Sequence, residues 1–278
     1  MMEDKIIRHL HEELSDIYKV FAEVCDKNNL QYFVVGGTLL GAVVHKGYIP
    51  WDDDLDVAMP RDDYDMFINE VSKQLPEGYY LHHTVTDPDY WLSFAKVRKC
   101  GTEFQEEKRK NIKEHNEIYI DIFPFDYAGT KNTFSHKFGW RMITYLNNYI
   151  YLKQTQKEPE SVTAKVLGTV FNLFSIKSLS LFRDKLMRGF DSGARKYYVD
   201  LAGGRRLDNS YFNIKDILPI HSMPFGEMSV KVPHDPDAYL LQLYTERYKI
   251  IPPLEQRVTH EPHYIRFSDG EFVRFREE

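Results

Sequence analysis

Two glycines, Gly36 and Gly37, follow a short β-type run over residues 31–35, and Thr38 stands where it can cap a helical run over residues 38–44. Glycine lets a backbone come close to a phosphate and take positive φ, and a new helix N-terminus offers free N–H groups and the positive end of a dipole. Further on, Asp54-Leu55-Asp56 lies in a second strand-like run that ends at Met59-Pro60. Residues two apart on a strand share a face, so Asp54 and Asp56 project together while Leu55 and Val57 turn to a core. Like charges so placed repel unless a cation sits between them. A hard divalent ion, Mg²⁺ or Mn²⁺, suits oxygen ligands joined by substrate phosphates. Asp121 stands in a run of apolar and aromatic residues over 118–123, where a lone carboxylate is expensive to bury. Asp54, Asp56 and Asp121 thus read as the metal-binding and catalytic set, with Gly36, Gly37 and Thr38 as a phosphate cradle. Asp121 is also the acid best placed to orient or deprotonate an acceptor hydroxyl.

Cations and aromatics near these acids supply further candidates. Lys96 and Arg98 alternate with Phe94, Ala95 and Val97, which aims both at one strand face. There they would either neutralise a diphosphate or protect a sheet edge by charge. Arg61 directly follows the carboxylate strand and would grip phosphate or support the next helix. Tyr48, Trp51, Tyr119 and Tyr127 lie closest in sequence to the acids and could form a cage for a quaternary ammonium group by cation–π attraction. Eleven histidines show no zinc spacing with Cys25 or Cys100.

Gly36-Gly37-Thr38-Leu39-Leu40-Gly41, then Gly47-Tyr48-Ile49-Pro50-Trp51-Asp52-Asp53-Asp54-Leu55-Asp56-Val57, then Arg61-Asp62-Asp63-Tyr64, resemble the signature of the LicD family. The resemblance continues through Phe94-Ala95-Lys96-Val97-Arg98, Thr102 and Asp121. It returns in Phe225-Gly226, Pro233, Asp237-Ala238-Tyr239-Leu240 and Pro252, and reaches His260. Where that family often has Tyr-Gly-Asp-Tyr, this chain has Tyr244-Thr245-Glu246-Arg247-Tyr248. The resemblance implies a nucleotidyltransferase-like fold that moves a phospho-headgroup, phosphocholine first among them, from a CDP-linked donor such as CDP-choline. The implied acceptor is a hydroxyl of a glycan or lipid-linked glycan, such as a teichoic acid or lipopolysaccharide, and CMP leaves. Two alternatives stand beside it. One is transfer of the nucleotidyl group with release of pyrophosphate; the other is a binding module for phosphocholine-type ligands, against which the full set of acids argues. No nucleic-acid partner is expected.

The elements needed to position these residues read as an α+β protein with a nucleotidyltransferase-like mixed sheet and a mainly helical C-terminal half. An amphipathic helix is expected over 4–27, a helix over 62–75, strands over 79–83, 91–98 and 118–123, a charged loop over 106–117 and a helix over 237–248. Domain boundaries are expected as a catalytic core over 1–130, a basic helical subdomain over 131–206 and a segment over 207–278 that packs back on the core. Residues 1–130 hold 14 basic and 25 acidic groups, residues 131–206 hold 14 and 5, and residues 207–278 hold 8 and 12. The basic middle surrounds the most apolar stretch, residues 166–176, which is too short to span a bilayer and is expected to be a buried helix or to dock at a membrane interface. The charged N-terminus has no apolar signal-peptide core, so a cytoplasmic protein is expected, with peripheral contact at the inner membrane face as a further expectation.

Overall fold

The computed structural model describes residues 2–109, 115–157, 168, 171–257 and 259–275. The chain divides into two compact units, one of Met1–Leu81, Lys96–Ile122 and Lys215–Glu278, the other of His82–Ala95 and Phe123–Ile214.

The first unit opens with α1 (Asp4–Lys27). Apolar residues at steps of three and four give it one buried stripe, including Leu10, Leu14, Ile17 and Phe21. Phe21 meets Tyr32 and Phe67 edge-on, which keys α1 to the residues before β1 (Phe33–Val34) and to α3 (Arg61–Asn69). Strand β1 pairs antiparallel with β2 (Asp56–Pro60), Phe33 opposite Ala58 and Val34 opposite Val57. Between them α2 (Gly36–Leu40) starts directly after Val35 and winds on as a π-turn through Gly41–His45. The helix therefore begins before Thr38, and Thr38 is not its cap.

The sheet order in this unit is β1-β2-β6-β4-β3, with β3 at Tyr79–His82, β4 at Ala95–Lys99 and β6 at Tyr119–Ala128. The strand expected over 91–98 forms only from Ala95. Strand β5 (Glu103–Glu106) takes the first residue of the expected loop, and residues 110–114 of that loop lie outside the described residues. Strand β5 pairs with β11 (Pro262–Arg266), which also pairs with β12 (Phe272–Arg274). Strands β9 (His221–Phe225) and β10 (Met228–Val232) form a hairpin. The tail is tied to α1 through Glu13, which accepts from Ser268 N–H at 2.8 Å and from Lys99 Nζ at 2.5 Å.

The expected C-terminal helix forms as α6 (Pro236–Tyr244), capped by the Asp235 carboxylate accepting from Ala238 N–H at 2.9 Å. It stops short of Tyr248 because Thr245 takes φ 59°, ψ −169°. A β-branched residue there is strained by about 1–3 kcal/mol. Thr245→Gly is expected to raise unfolding stability by about 1 kcal/mol or more in urea titrations, because only glycine takes that conformation freely.

In the second unit β6 runs on past Pro124, and Phe125–Ala128 pair antiparallel with β7 (Tyr197–Asp200), which pairs with β8 (Tyr211–Asn213). These strands, with β9 to β12, make the second half of the chain richer in β-structure than the helical expectation. Helices α4 (Phe134–Thr155) and α5 (Ile176–Arg188) pack on one another. One core joins Ile143, Met187, Phe190, Val199 and Tyr211; a second joins Leu146, Tyr149, Ile150 and Leu179. Arg183 on α5 is buried, and its guanidinium donates to the Trp91 and Leu92 carbonyls at 2.8 and 2.6 Å and to Asn147 Oδ1 at 2.9 Å. Of the apolar stretch 166–176, residues 166, 167, 169 and 170 lie outside the described residues. Its later part is not a buried helix: Leu173 and Phe174 are exposed in a turn ahead of α5. Among the described residues no helix is long and apolar enough to cross a membrane.

Candidate active site

The glycine turn and the acidic strand are built around each other. Gly36 has φ +57°, a conformation that favours glycine and sets the reversal from β1 into α2. At Gly37 a Cβ would stand 2.6 Å from Asp52 Oδ2, so glycine is what lets the Asp52 carboxyl lie against the turn. Thr38 is buried, and its Oγ1 accepts the Asp56 N–H at 2.9 Å. That bond ties α2 to the start of β2 and makes Thr38 a positioning residue for the acids.

Alternation along the acidic run is as the strand period requires. Asp53, Leu55 and Val57 are buried, whereas Asp54 and Asp56 are partly open. Asp121 is brought beside them by β6, whose Asp121 N–H donates to the Leu55 carbonyl at 3.0 Å. The acids act on one another. Burial, followed by the charges of Asp54, Asp121 and Asp52, pushes the Asp56 carboxyl well above the ordinary range. Burial and the charges of Asp54 and Asp53 do the same to Asp52. Burial raises Asp54 as well, against the pull of His260.

Two cations answer part of this charge. Lys96 Nζ, on β4, donates to Asp121 Oδ1 at 2.6 Å and lies 3.2 Å from the centroid of the Tyr119 ring. Burial draws the Lys96 ammonium down to about 8, with Asp121 opposing the shift and Arg98 and Arg109 adding to it. The second cation comes from the far end of the sequence. His260 donates its backbone N–H to both Asp53 oxygens, at 3.1 and 3.0 Å, and its Nδ1 to Asp53 Oδ1 at 2.9 Å. Its Nε2 lies 3.9 Å from Asp54 Oδ2. Burial alone would lower this imidazole; the Asp53 hydrogen bond and the charges of Asp54 and Asp53 outweigh it and hold it at about 10.

A folded value of about 10 against an ordinary 6.5 means that His260 stabilises fully below pH 6.5 and loses that contribution as pH rises through about 10. Lys96, lowered to about 8, has the opposite sign above that pH. The difference between wild type and His260→Gln isolates the imidazole. The wild-type advantage in melting temperature is expected to be largest near pH 6 and to shrink steadily towards pH 10; a constant gap would exclude a charged His260.

The remaining sequence candidates have protein partners. Arg98 is buried, donates to the Glu117 carbonyl at 2.7 Å and lies 5.1 Å from the Tyr119 ring centroid. Arg61, also buried, heads α3, 3.7 Å from Asp65 and 5.3 Å from the Tyr64 ring centroid. Each of the four aromatics is engaged by its own protein partner. Tyr48 stacks on His11 and bonds Ser15, Trp51 lies under Arg257, Tyr119 under Lys96 and Tyr127 under Arg195. Tyr127 belongs to the second unit and the other three to the first. Asp52, Asp53 and His260 complete the charged cluster, and strand alternation alone could not assign them. The signal for Asp53 was its place on the buried face of the run, where a carboxylate requires a partner.

The donor set of this cluster is carboxylate oxygen, the chemistry of a hard divalent cation rather than of zinc. A family model described as the nucleotidyltransferase domain of LicD, FKTN and FKRP matches residues 29–159. The lipopolysaccharide cholinephosphotransferase LicD of Haemophilus influenzae is 35% identical over 113 residues, which are 40% of this chain and 41% of that protein. An uncharacterized protein of Rickettsia typhi is 39% identical over 130 residues, 45% of this chain and 39% of its own. One of Rickettsia prowazekii is 40% identical over 113 residues, 40% of each chain. The chain thus spans about two fifths of the length of the curated relatives it matches. The glycine turn and Asp52, Asp53, Asp54, Asp56, Lys96 and Asp121 all fall within the matched residues, and His260 outside them. Over residues 29–159 this chain is thus similar to the nucleotidyltransferase domains of the LicD family.

Proposed function

We propose that this chain is a divalent-metal-dependent transferase that moves a phospho-headgroup, phosphocholine first, from a CDP-linked donor to a hydroxyl of a glycan or lipid-linked glycan, releasing CMP. The observation that carries the reading is the cluster of mutually repelling acids at the end of a glycine turn. Asp52, Asp54 and Asp56 all have carboxyls raised by burial and by neighbouring carboxylates, an arrangement that a bound cation relieves. Asp54, Asp56 and Asp121 would hold Mg²⁺ or Mn²⁺, which supplies positive charge opposite the donor phosphates.

The protein's own groups do the rest. The Gly36–Gly37 turn sets the reversal from β1 into α2 and lets the Asp52 carboxyl lie against it. Thr38 fixes the register of Asp56, and His260 fixes Asp53 and, through its charge, Asp54. Asp121 accepts the proton of the acceptor hydroxyl as its oxygen bonds to the headgroup phosphorus. The bond from that phosphorus to the CMP oxygen breaks and the electron pair leaves with CMP. Lys96 orients Asp121 and carries positive charge to the site. Choline as headgroup is supported by the name of the Haemophilus relative; the aromatics already engaged by protein partners add nothing to it.

Incubation with CDP-choline, CDP-ribitol, CDP-glycerol or CDP-ethanolamine, a lipopolysaccharide acceptor and Mg²⁺ tests the reading by product mass. CMP with an acceptor heavier by phosphocholine is the expected outcome. A nucleotidylated acceptor with pyrophosphate, or no product from any donor, would contradict it.

A further inference from the structure

The second unit presents an apolar and basic surface that its own fold leaves to solvent. Helix α5 buries Leu179, Ser180, Arg183 and Met187. Its opposite face carries Lys177, Leu181, Phe182, Lys185 and Arg188, with Leu181 56% and Phe182 46% exposed. Immediately ahead of α5, Leu173 is 82% and Phe174 49% exposed.

This turn is anchored. Lys153 Nζ, from α4, donates to the Phe174 carbonyl at 2.5 Å and to the Asn172 carbonyl at 3.4 Å. The Tyr149 hydroxyl donates to Asn172 Oδ1 at 2.5 Å, and Ser175 caps α5 by accepting from Ser178 N–H at 3.1 Å. Backbone and polar groups are thus held from α4 while two large apolar side chains are left in water. Exposed apolar area of this kind is unfavourable until something covers it.

Charge selects what covers it. Residues 131–206 hold 14 basic and 5 acidic groups. The one acid on α5, Asp184, is paired with Arg188 at 2.8 Å. A second copy of this chain would set the same positive face against itself, and like charges across an interface oppose association. A free nucleotide would have no use for Leu173, Phe174, Leu181 and Phe182. An anionic bilayer meets both halves of the pattern.

We propose that the outer face of α5 and the Leu173-Phe174 turn dock peripherally on an anionic lipid bilayer. Leu173, Phe174, Leu181 and Phe182 enter the headgroup–acyl boundary, and Lys177, Lys185 and Arg188 lie on the headgroups. The inference is independent of the transferase reading, since none of these residues belongs to the carboxylate site.

Co-sedimentation of the full chain with phosphatidylglycerol–phosphatidylcholine vesicles, beside pure phosphatidylcholine vesicles, tests it across a salt series. The chain is expected to pellet with the anionic vesicles at low salt and to be released as salt rises. Each lysine on the surface is worth about fivefold in binding, so Lys177→Glu with Lys185→Glu should weaken it about 25-fold or more. Leu173→Ser with Phe174→Ser, and Leu181→Ser with Phe182→Ser, should each weaken it at least about tenfold. Should the serine variants not fold, the exposed lysine reversals decide alone. No pelleting of the wild type at low salt, equal pelleting on neutral vesicles, or wild-type binding by the lysine reversals would each overturn the proposal. So would a stable dimer that the serine changes dissolve while vesicles bind none of the proteins.

Discussion

Asp56→Asn is expected to abolish turnover and yet make the metal-free protein more stable. An amide offers no charge to a divalent cation. Losing several kcal/mol of charge stabilisation in the transition state lowers the rate about a thousandfold or more. The same change removes a carboxyl whose ionised form is disfavoured by burial and by the charges of Asp54, Asp121 and Asp52. In EDTA the melting temperature should rise, by about 2–4 °C for each kcal/mol relieved. Asp54→Asn should lose the rate equally, but its stability gain is smaller because Asp54 also faces His260, 3.9 Å away. Asp121→Asn should lose rate and stability together, since it strips Lys96 of its 2.6 Å partner. Kinetics and melting curves on the three variants check this pattern; a retained rate in any one removes that residue from the site.

Lys96→Met is expected to give the largest loss of stability. Lys96 is fully buried at 1% exposure and pairs with Asp121, itself 7% exposed. Breaking a buried pair from one side leaves the other charge uncompensated, at a cost of about 3–5 kcal/mol. Two controls distinguish charge from packing. Adding Asp121→Asn to Lys96→Met should restore most of the loss, because neither buried group is then ionised. Mg²⁺ should restore the single variant more than it stabilises wild type, because a cation can take over the place of the ammonium. Urea unfolding of the four proteins, with and without Mg²⁺, measures both. No difference between the single and double variants would mean that the lysine stem, not its charge, holds the site.

The parts of this site that are local in sequence were legible there. Gly36-Gly37 and Asp54-Leu55-Asp56 declare a turn and a two-residue repeat within a few positions, and the repeat is visible in the burial of Leu55 and Val57 beside the more open Asp54 and Asp56. α1 was equally legible, since its apolar stripe is continuous over its length. What the sequence hid depends on distant pairing. β5 becomes a strand only because β11, some 160 positions later, lies against it, and a four-residue run with Glu at both ends carries no strand signal of its own. His260 arrives through the same pairing, just ahead of β11, as the partner of Asp53. The burial of the cations was hidden for a related reason. Lys96, Arg98 and Arg183 look like surface charges on short periodic runs, yet each is buried against a carboxylate or carbonyl from elsewhere in the chain. Apolar spacing does not reveal a buried cation, because the partner that makes its burial tolerable is supplied by the fold.

The most direct test of the central claim is calorimetric titration of Mn²⁺ into the metal-free protein, wild type beside Asp56→Asn, at neutral pH in the presence of CMP. The wild type should bind the ion with release of protons, because Asp52 and Asp56 hold theirs more tightly than ordinary carboxyls until the cation displaces them. Asp56→Asn should bind at least about tenfold more weakly. Equal binding by the two proteins, or no binding by the wild type, would contradict a metal site built on these acids.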